Sequence, residues 1–255
     1  MIPPLPTAFL QAPIAHRALH DVSNNRPENS RAAIRAAIDA GYGIEIDLQL
    51  TSDDRAVVFH DYDMGRLTGQ PGPIRQVSAA AASEFTLLYG DDGIPTLDEV
   101  LDMVAGRVPL LIELKDQDGV MGMNIGALEH DTVRALQGYD GPVALMSFNP
   151  NSVAELARLA PHLPRGITTC AYEPSVELLP QAVCDTLRDV PDFDRVGAGF
   201  ISHEAEDLSR PRVAELKAQG VPILCWTVRT PEQEAEARMV ADNVTFEGYL
   251  AAHSA

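Results

Sequence analysis

The sequence has few cysteines and no long apolar run, and each shortage excludes a class of protein. Three cysteines in 255 residues are odd in number and widely spaced, which argues against a disulfide framework or a cysteine-based zinc site. We expect all three to be reduced cysteines in the core: Cys170, Cys184 and Cys225. No apolar run approaches the roughly 18 residues that cross a bilayer, so stable membrane insertion is not expected. The N-terminal residues lack a signal-peptide pattern, which predicts a cytoplasmic protein.

Basic residues are also scarce. Lysine and arginine number 19 against 37 aspartates and glutamates, a formal charge of -18. Such a field repels nucleic acid and anionic membrane surfaces, so neither is an expected partner. An anionic small-molecule substrate would need local cations or a metal ion to bind. The chain shows no linker, sequence repeat or low-complexity tract, and we expect a single domain over residues 1–255.

The stretch 43–61 contains the most informative pattern in the chain, an alternating strand that carries two carboxylates. Four apolar residues from Ile44 to Leu50 alternate with Glu45, Asp47 and Gln49, the two-residue period of a strand with unlike faces. In an open sheet the polar face of such a strand looks at water. In a closed parallel barrel the apolar face packs outward on helices, and the carboxylates would lie inside, where they need cations.

The remaining chain alternates short apolar runs with helical patterns. Eight residues mark the predicted strands: Ile14, Ile44, Val57, Leu111, Val143, Ile167, Ala198 and Leu224. Eight alternating units in about 250 residues predict a closed (β/α)8 barrel. Thr96 and Glu99 form a capping box that opens one of the helices.

Two stretches depart from this rhythm. Only residues 51–55 separate the second and third apolar runs, too few for a parallel crossover. The two runs therefore form either a local hairpin or an extended return, and both place His60 near Glu45 and Asp47. Residues 62–94 contain a loop and a weakly helical segment, and we interpret them as an insertion over one end of the barrel.

Polar side chains follow the apolar runs at their C-terminal ends. They are His16, Arg17, Glu45, Asp47, His60, Asp61, Glu113, Lys115 and Trp226. In a parallel barrel these ends open on one face, where active sites are built. Three carboxylates without a cysteine suit a hard cation, Mg²⁺ or Ca²⁺. Two histidines can act as general base and acid near neutral pH, and a metal beside cationic side chains suits displacement at phosphorus.

These residues and their neighbours carry a family resemblance. The motifs are His16-Arg17, Pro27-Glu28-Asn29-Ser30, Glu45-Ile-Asp47, Thr51-x-Asp53, Val57-Val58-Phe59-His60-Asp61, Pro95-Thr96-Leu97-Asp98-Glu99, Ile112-Glu113-Leu-Lys115 and Trp226-Thr-Val228. In this order the chain resembles the glycerophosphodiester phosphodiesterase family. The resemblance implies a TIM barrel with a small insertion after the third strand. It also implies metal-dependent hydrolysis of glycerophosphodiesters to sn-glycerol 3-phosphate and an alcohol.

The resemblance assigns roles to individual residues. Glu45, Asp47 and Glu113 match the family's metal ligands, which would hold Mg²⁺ or Ca²⁺. The catalytic histidines correspond to His16 and His60.

Other residues of this set have a binding role or two alternative roles. Arg17 and Lys115 match phosphate-binding groups, although Lys115 could instead neutralise Glu113. Trp226 either walls the glycerol pocket or packs in the core.

The chain departs from the family pattern at three places: Ala18 where glycine is usual, Asp54-Arg55 for an Asp-Gly turn, and residues 242–247 at the closing strand. None of these is expected to touch a proposed ligand.

Further expectations concern supporting residues. Glu28 and Asn29 are expected to cap the first long helix, with Glu28 also able to orient Arg17. Asp61 is expected to hold a backbone group or a histidine, and His203 to lie on the surface.

Two rival functions remain open. One is a lysophospholipase D or sphingomyelinase D-like activity on the same barrel, for which residues 85–89 could supply an apolar mouth. The other is a protein that binds metal and phosphodiesters without cleaving them. The sequence is compatible with more than one alcohol group, with either Mg²⁺ or Ca²⁺, and with more than one oligomeric state.

Overall fold

A computed structural model describes residues 2–177 and 179–253 of the chain. Its strands are Ile14–Ala15 (β1), Gly43–Leu50 (β2), Ala56–Val58 (β3), Leu110–Leu114 (β4), Val143–Ser147 (β5), Arg165–Thr169 (β6), Phe200–Glu204 (β7), Ile223–Val228 (β8) and Asn243–Phe246 (β9). They form one sheet in the order β1-β9-β8-β7-β6-β5-β4-β2-β3. Because β1 also pairs with β2, eight parallel strands close into a barrel, which confirms the predicted fold.

The barrel has the predicted number of eight strands, but one of the eight differs from the prediction. The run marked by Val57 is β3, which pairs antiparallel with β2 as a hairpin and stays outside the closed barrel. The eighth barrel strand is β9, which the eight markers did not include. The predicted seventh strand also begins later, since Ala198 precedes β7. Short strands such as β9 carry too few residues for their periodicity to stand out from loop sequence.

The helices are Ala8–Gln11 (α1), Arg31–Ala40 (α2), Gly65–Thr68 (α3), Ala79–Ala82 (α4), Leu97–Val104 (α5), Ala127–Ala135 (α6), Pro150–Leu159 (α7), Pro174–Glu177 (α8), Gln181–Leu187 (α9), Pro211–Ala218 (α10) and Pro231–Ala237 (α11). Thr96 and Glu99 make the predicted capping box of α5. Ser30, rather than Glu28 or Asn29, caps α2 by accepting a 3.1 Å hydrogen bond from the Ala33 amide. No helix in the described residues is long and apolar enough to cross a bilayer.

The two faces of the barrel strands have different surroundings. Ile44 and Ile46 of β2 point outward into a core that they share with Ile34 of α2 and Val100 of α5. The intervening carboxylates therefore face the interior, as the alternation in β2 predicts for a closed barrel. At the N-terminal ends of the strands, Phe9 of α1 packs in an inner apolar cluster with residues that begin several strands. The opposite end is left for polar groups.

The inserted segment 62–94 packs on the hairpin strand. Its apolar side chains form a cluster with Val57 and Phe59: Met64, Leu67, Ile74, Ala79, Ala82, Leu87 and Ile94. Of the weakly helical region predicted there, only the four residues of α4 are α-helical. This anchorage positions Tyr62, Asp63 and Arg66 at the C-terminal end of the barrel, where they line the main cleft.

Candidate active site

A cleft of about 760 Å³ opens at the C-terminal ends of the barrel strands. All eight residues predicted for the site line it: His16, Arg17, Glu45, Asp47, His60, Glu113, Lys115 and Trp226. They come from five strands or their ends, because parallel strands bring residues distant in sequence to one edge. The structure therefore brings the whole predicted set together.

Three carboxylates form the centre of the cleft floor. Asp47 and Glu113 are register partners on the neighbouring strands β2 and β4, and Glu45 lies two residues before Asp47 on the same face. One oxygen from each lies within 4.8 Å of the other two, and all three side chains are buried. Burial, with repulsion from Asp47 and Glu113, raises the pKa of Glu45 well above its ordinary value. Such an all-oxygen set fits a hard divalent cation.

Two cations compensate part of this negative charge. Lys115 Nζ lies 2.7 Å from Glu113 Oε1 and 3.3 Å from Asp47 Oδ1. Arg17 approaches Asp47 at 3.6 Å, and its backbone amide donates a 2.8 Å hydrogen bond to Glu45. Although burial raises the pKa of Asp47, the charges of Lys115, His60 and Arg17 outweigh it, and the pKa lies below its ordinary value. Two cations against three carboxylates leave one negative charge that a metal ion can offset.

The hairpin positions His60 on one side of the carboxylates. The Phe59 amide donates a 2.9 Å hydrogen bond to the Asp47 carbonyl, which extends the β2–β3 pairing to the end of β3. His60 Nδ1 lies 2.7 Å from Asp61 Oδ1, as expected for Asp61. A carboxylate on Nδ1 favours the tautomer with its proton there and leaves Nε2 for the cleft.

His16 has the same arrangement with a residue that the sequence interpretation overlooked. His16 Nδ1 lies 2.6 Å from Oε2 of Glu247, at the end of β9. Burial lowers the pKa of His16, and hydrogen bonding to Glu247 opposes that shift only in part. The departure from the family pattern at residues 242–247 therefore reaches a predicted catalytic histidine, although this contact is not with one of the three predicted metal ligands. A carboxylate after an apolar run, as at Asp61, was the available signal, but it required β9 to be recognised as a barrel strand.

Arg66 connects the two sides of the cleft rim. It donates to both oxygens of Asp61 at 2.6 and 2.9 Å, and to both oxygens of Glu28 at 2.9 and 2.8 Å. Glu28 in turn accepts a 2.8 Å hydrogen bond from Arg17. The expected orienting role of Glu28 toward Arg17 agrees with this contact. Arg66 thus reaches His60 through Asp61 and Arg17 through Glu28.

The far wall of the cleft is apolar. Trp226 donates a 3.0 Å hydrogen bond from Nε1 to the Ser202 carbonyl, and its ring meets Phe148 edge to face with centroids 5.5 Å apart. Met121 and Met146 line the same cavity. Trp226 thus lies in the cleft wall, next to the buried Cys170–Tyr172 region.

Other expected positions differ in the structure. Asn29 does not cap a helix; its side-chain amide donates a 2.9 Å hydrogen bond to Asp47 and holds that carboxylate. His203 is completely buried, 2.7 Å from the Thr169 hydroxyl, because it points outward from β7 into the layer between sheet and helices. Leu88 and Tyr89 are exposed, but they line a second cavity of about 810 Å³ beside the cleft rather than the cleft itself.

Comparison with known proteins identifies the family of the chain. The profile of the Glycerophosphoryl diester phosphodiesterase family matches residues 16–245. The chain belongs to this family. Its members are hydrolases, and the match runs from His16 to Thr245, so it includes all eight residues predicted for the site.

Individual relatives agree with the family assignment. A glycerophosphodiester phosphodiesterase of Caldanaerobacter subterraneus subsp. tengcongensis is 32% identical over 163 residues, covering 60% of this chain and 65% of the relative. The uncharacterized protein YqiK of Bacillus subtilis is 34% identical over 164 residues, covering 61% and 65%. The chain thus matches 65% of the length of each of these relatives. A phosphodiesterase of Oleispira antarctica, solved in complex with the product sn-glycerol-3-phosphate, aligns with a TM-score of 0.73, 25% identity and 94% coverage of both chains.

Proposed function

We propose that the protein hydrolyses glycerophosphodiesters to sn-glycerol 3-phosphate and an alcohol, with a divalent cation as cofactor. The observation that carries this proposal is the convergence of three buried carboxylates and two carboxylate-bound histidines on one cleft. The product complex of the Oleispira antarctica relative supports the same small-molecule class.

We assign the metal to Glu45, Asp47 and Glu113. Their oxygens suit Mg²⁺ or Ca²⁺, and the raised pKa of Glu45 expresses the repulsion that a cation would relieve. When bound, the metal supplies Lewis-acid stabilisation of charge on the phosphoryl oxygens. Lys115 holds Glu113 and Asp47 in position and adds a positive charge at the same edge of the cleft.

We assign substrate binding and proton transfer to three residues of the chain: Arg17, His16 and His60. Arg17 binds an anionic phosphoryl oxygen with the donors that Glu28 leaves free. The unprotonated Nε2 of His16 takes a proton from the attacking hydroxyl, which is either water or the 2-hydroxyl of the substrate's own glycerol. Attack by the 2-hydroxyl forms a cyclic phosphate, which a water molecule then opens to sn-glycerol 3-phosphate. For its role as acid, His60 carries a proton on both ring nitrogens: Asp61 holds the proton on Nδ1, and the proton on Nε2 goes to the leaving alcohol oxygen. The two histidine roles can be exchanged without changing the geometry, since each imidazole has a carboxylate on Nδ1.

An assay on a substrate panel tests this function. Purified protein, treated with a chelator and then supplied with Mg²⁺ or Ca²⁺, should release sn-glycerol 3-phosphate from glycerophosphocholine or a related diester. His16→Ala and His60→Ala should each lower turnover by about 10²–10⁴-fold. His130→Ala is the matched control, because His130 is an exposed histidine on α6 outside the cleft. Wild-type turnover in either site variant would remove the histidine assignment, and no product with any metal would favour the non-catalytic rival.

A lysophospholipase D activity is the second candidate, and exposed apolar side chains favour it. Tyr62 and Val176 are exposed on the cleft, while Leu88, Tyr89 and Leu250 are exposed on the adjoining second cavity. Such side chains could contact the hydrocarbon chain of a single-chain lipid. Faster release of choline from lysophosphatidylcholine than from glycerophosphocholine would favour this candidate over the first.

A further inference from the structure

A second group of metal-binding side chains lies beside the carboxylate cluster. One ligand atom from each of His16, His20 and Glu247 lies within 4.8 Å of the others. Glu247 Oε2 is shared by both histidines, at 2.6 Å from His16 Nδ1 and 3.4 Å from His20 Nε2. All three side chains are at most about a quarter exposed, with fractions of 13%, 20% and 23% for His16, Glu247 and His20.

We propose that His16, His20 and Glu247 form an inhibitory site for a divalent transition metal such as Zn²⁺. Two imidazoles and one carboxylate are a ligand set that zinc accepts with a fourth position left for water. The set contrasts with the all-oxygen cluster of Glu45, Asp47 and Glu113, which suits Mg²⁺ or Ca²⁺. The two neighbouring sites should therefore prefer different cations: a transition metal at the histidine site, and Mg²⁺ or Ca²⁺ at the carboxylate cluster.

The surroundings of His20 support a ligand role. Its Nε2 is inaccessible to solvent and makes no hydrogen bond of ordinary geometry within residues 2–177 and 179–253. The Glu247 oxygen that a metal would share lies 3.4 Å from this nitrogen. A buried imidazole nitrogen without a hydrogen bond loses free energy that metal coordination would recover.

The site has a route to solvent and a supported carboxylate. His16 lines the main cleft, whereas His20 and Glu247 line the second cavity, so the cluster forms the wall between the two. A metal ion can arrive from the second cavity without passing through the substrate cleft. The other oxygen of Glu247 accepts a 2.9 Å hydrogen bond from Arg229, whose side chain is 57% exposed and free to turn toward solvent when a cation binds.

Metal binding at this position would remove the proposed base. In the metal-free protein the imidazole proton lies on His16 Nδ1, directed at Glu247, and Nε2 keeps its lone pair. Coordination through Nδ1 requires the single ring proton to reside on Nε2 instead, with the imidazole still neutral. Nε2 can then no longer accept a proton, so occupancy of the site and hydrolysis exclude each other. This inhibitory effect rests on the proposed function; the binding of the metal does not.

Cobalt spectroscopy on the full-length protein tests the site directly. With the carboxylate cluster saturated by Mg²⁺, Co²⁺ should give the visible absorption of an imidazole-ligated site, and Zn²⁺ should abolish it. His20→Ala and His20→Asn should weaken Co²⁺ binding by at least about tenfold, while His130→Ala should bind as the wild type does. Wild-type Co²⁺ affinity and spectrum in both His20 variants, or no cobalt spectrum in the wild type, would overturn the proposal.

Inhibition gives a second readout. Zn²⁺ should inhibit hydrolysis of glycerophosphocholine in Mg²⁺ buffer, and His20→Ala should raise the half-inhibitory zinc concentration at least about tenfold. Equal zinc sensitivity in His20→Ala and wild type would place the inhibition elsewhere and overturn the proposal. If the wild type hydrolyses no diester, the proposed function fails, and the cobalt spectrum still decides whether the metal site exists.

Discussion

Arg66 donates two hydrogen bonds, of 2.9 and 2.8 Å, to the two oxygens of Glu28. Glu28 precedes the first long helix, and Arg66 belongs to the inserted segment after the hairpin, so the contact joins parts of the chain that pack on different elements. Through Glu28 and Asp61 the guanidinium is connected by hydrogen bonds to both Arg17 and His60.

We therefore expect Arg66→Ala to lower kcat more than stability. Displacement of Arg17 and His60 from their positions should cost about 10- to 100-fold in kcat. The side chain is 48% exposed, so its ion pairs should add about 1 kcal/mol or less to the free energy of unfolding. Steady-state kinetics and urea unfolding measure the two effects. Arg66→Lys should recover part of the rate, and a variant that loses stability but keeps wild-type kcat would contradict the positioning role.

Glu247 should set the acid limb of the pH–rate profile. Because burial lowers the pKa of His16 below 6.5, its imidazole stays neutral at that pH, and activity should fall only as the pH drops through the lowered value. The carboxylate of Glu247 raises this pKa, so Glu247→Gln should move the limb to still lower pH. The rate at the optimum should also fall, since Gln is a weaker partner for the imidazole.

Profiles of kcat/KM over the acid range measure this shift. Glu206→Gln removes the charge of an exposed glutamate after β7 and serves as the control. A limb that moves to higher pH in Glu247→Gln, or does not move, would contradict the assignment of the limb to His16.

Glu45→Gln should weaken metal binding without weakening the metal-free fold. The substitution keeps an oxygen acceptor for the Arg17 amide and removes one of three buried negative charges. Since burial and repulsion raise the pKa of Glu45, its charged form at neutral pH costs folding free energy. The thermal midpoint of the chelator-treated variant should equal or exceed that of the wild type, and the rise on adding Mg²⁺ should shrink. A metal-free variant that melts far below the wild type would contradict the repulsion.

Gly166→Ala should destabilise the barrel without touching the cleft. A Cβ at Gly166 of β6 would lie 2.5 Å from the ring of Phe200, its register partner on β7. Overpacking of this kind costs about 1–3 kcal/mol of unfolding free energy, which urea denaturation measures. In the Phe200→Leu background, Gly166→Ala should cost less unfolding free energy than it does in the wild type. An unchanged midpoint in the single variant would show that the Phe200 ring moves away freely.

The sequence itself determined the fold class and the composition of the candidate site. The alternation in β2 places Glu45 and Asp47 on one face, and repeated strand–helix units close a barrel, so the ends of distant strands must meet. Side-chain chemistry at those ends, three carboxylates and two histidines, by itself indicates a metal beside an acid/base pair.

Tertiary structure alone decided which residues support that site and which strand closes the barrel. Glu247 lies 231 positions from His16, and Arg66 lies 38 from Glu28, so no local period joins either pair. The entry of β9 into the barrel depends on its pairing with β1, at the other end of the chain. The β3 hairpin, by contrast, is a local pairing with β2, and it was one of the two arrangements that the short turn allowed. Short-range patterns record which face of an element is apolar; only packing and long-range pairing decide what that face meets.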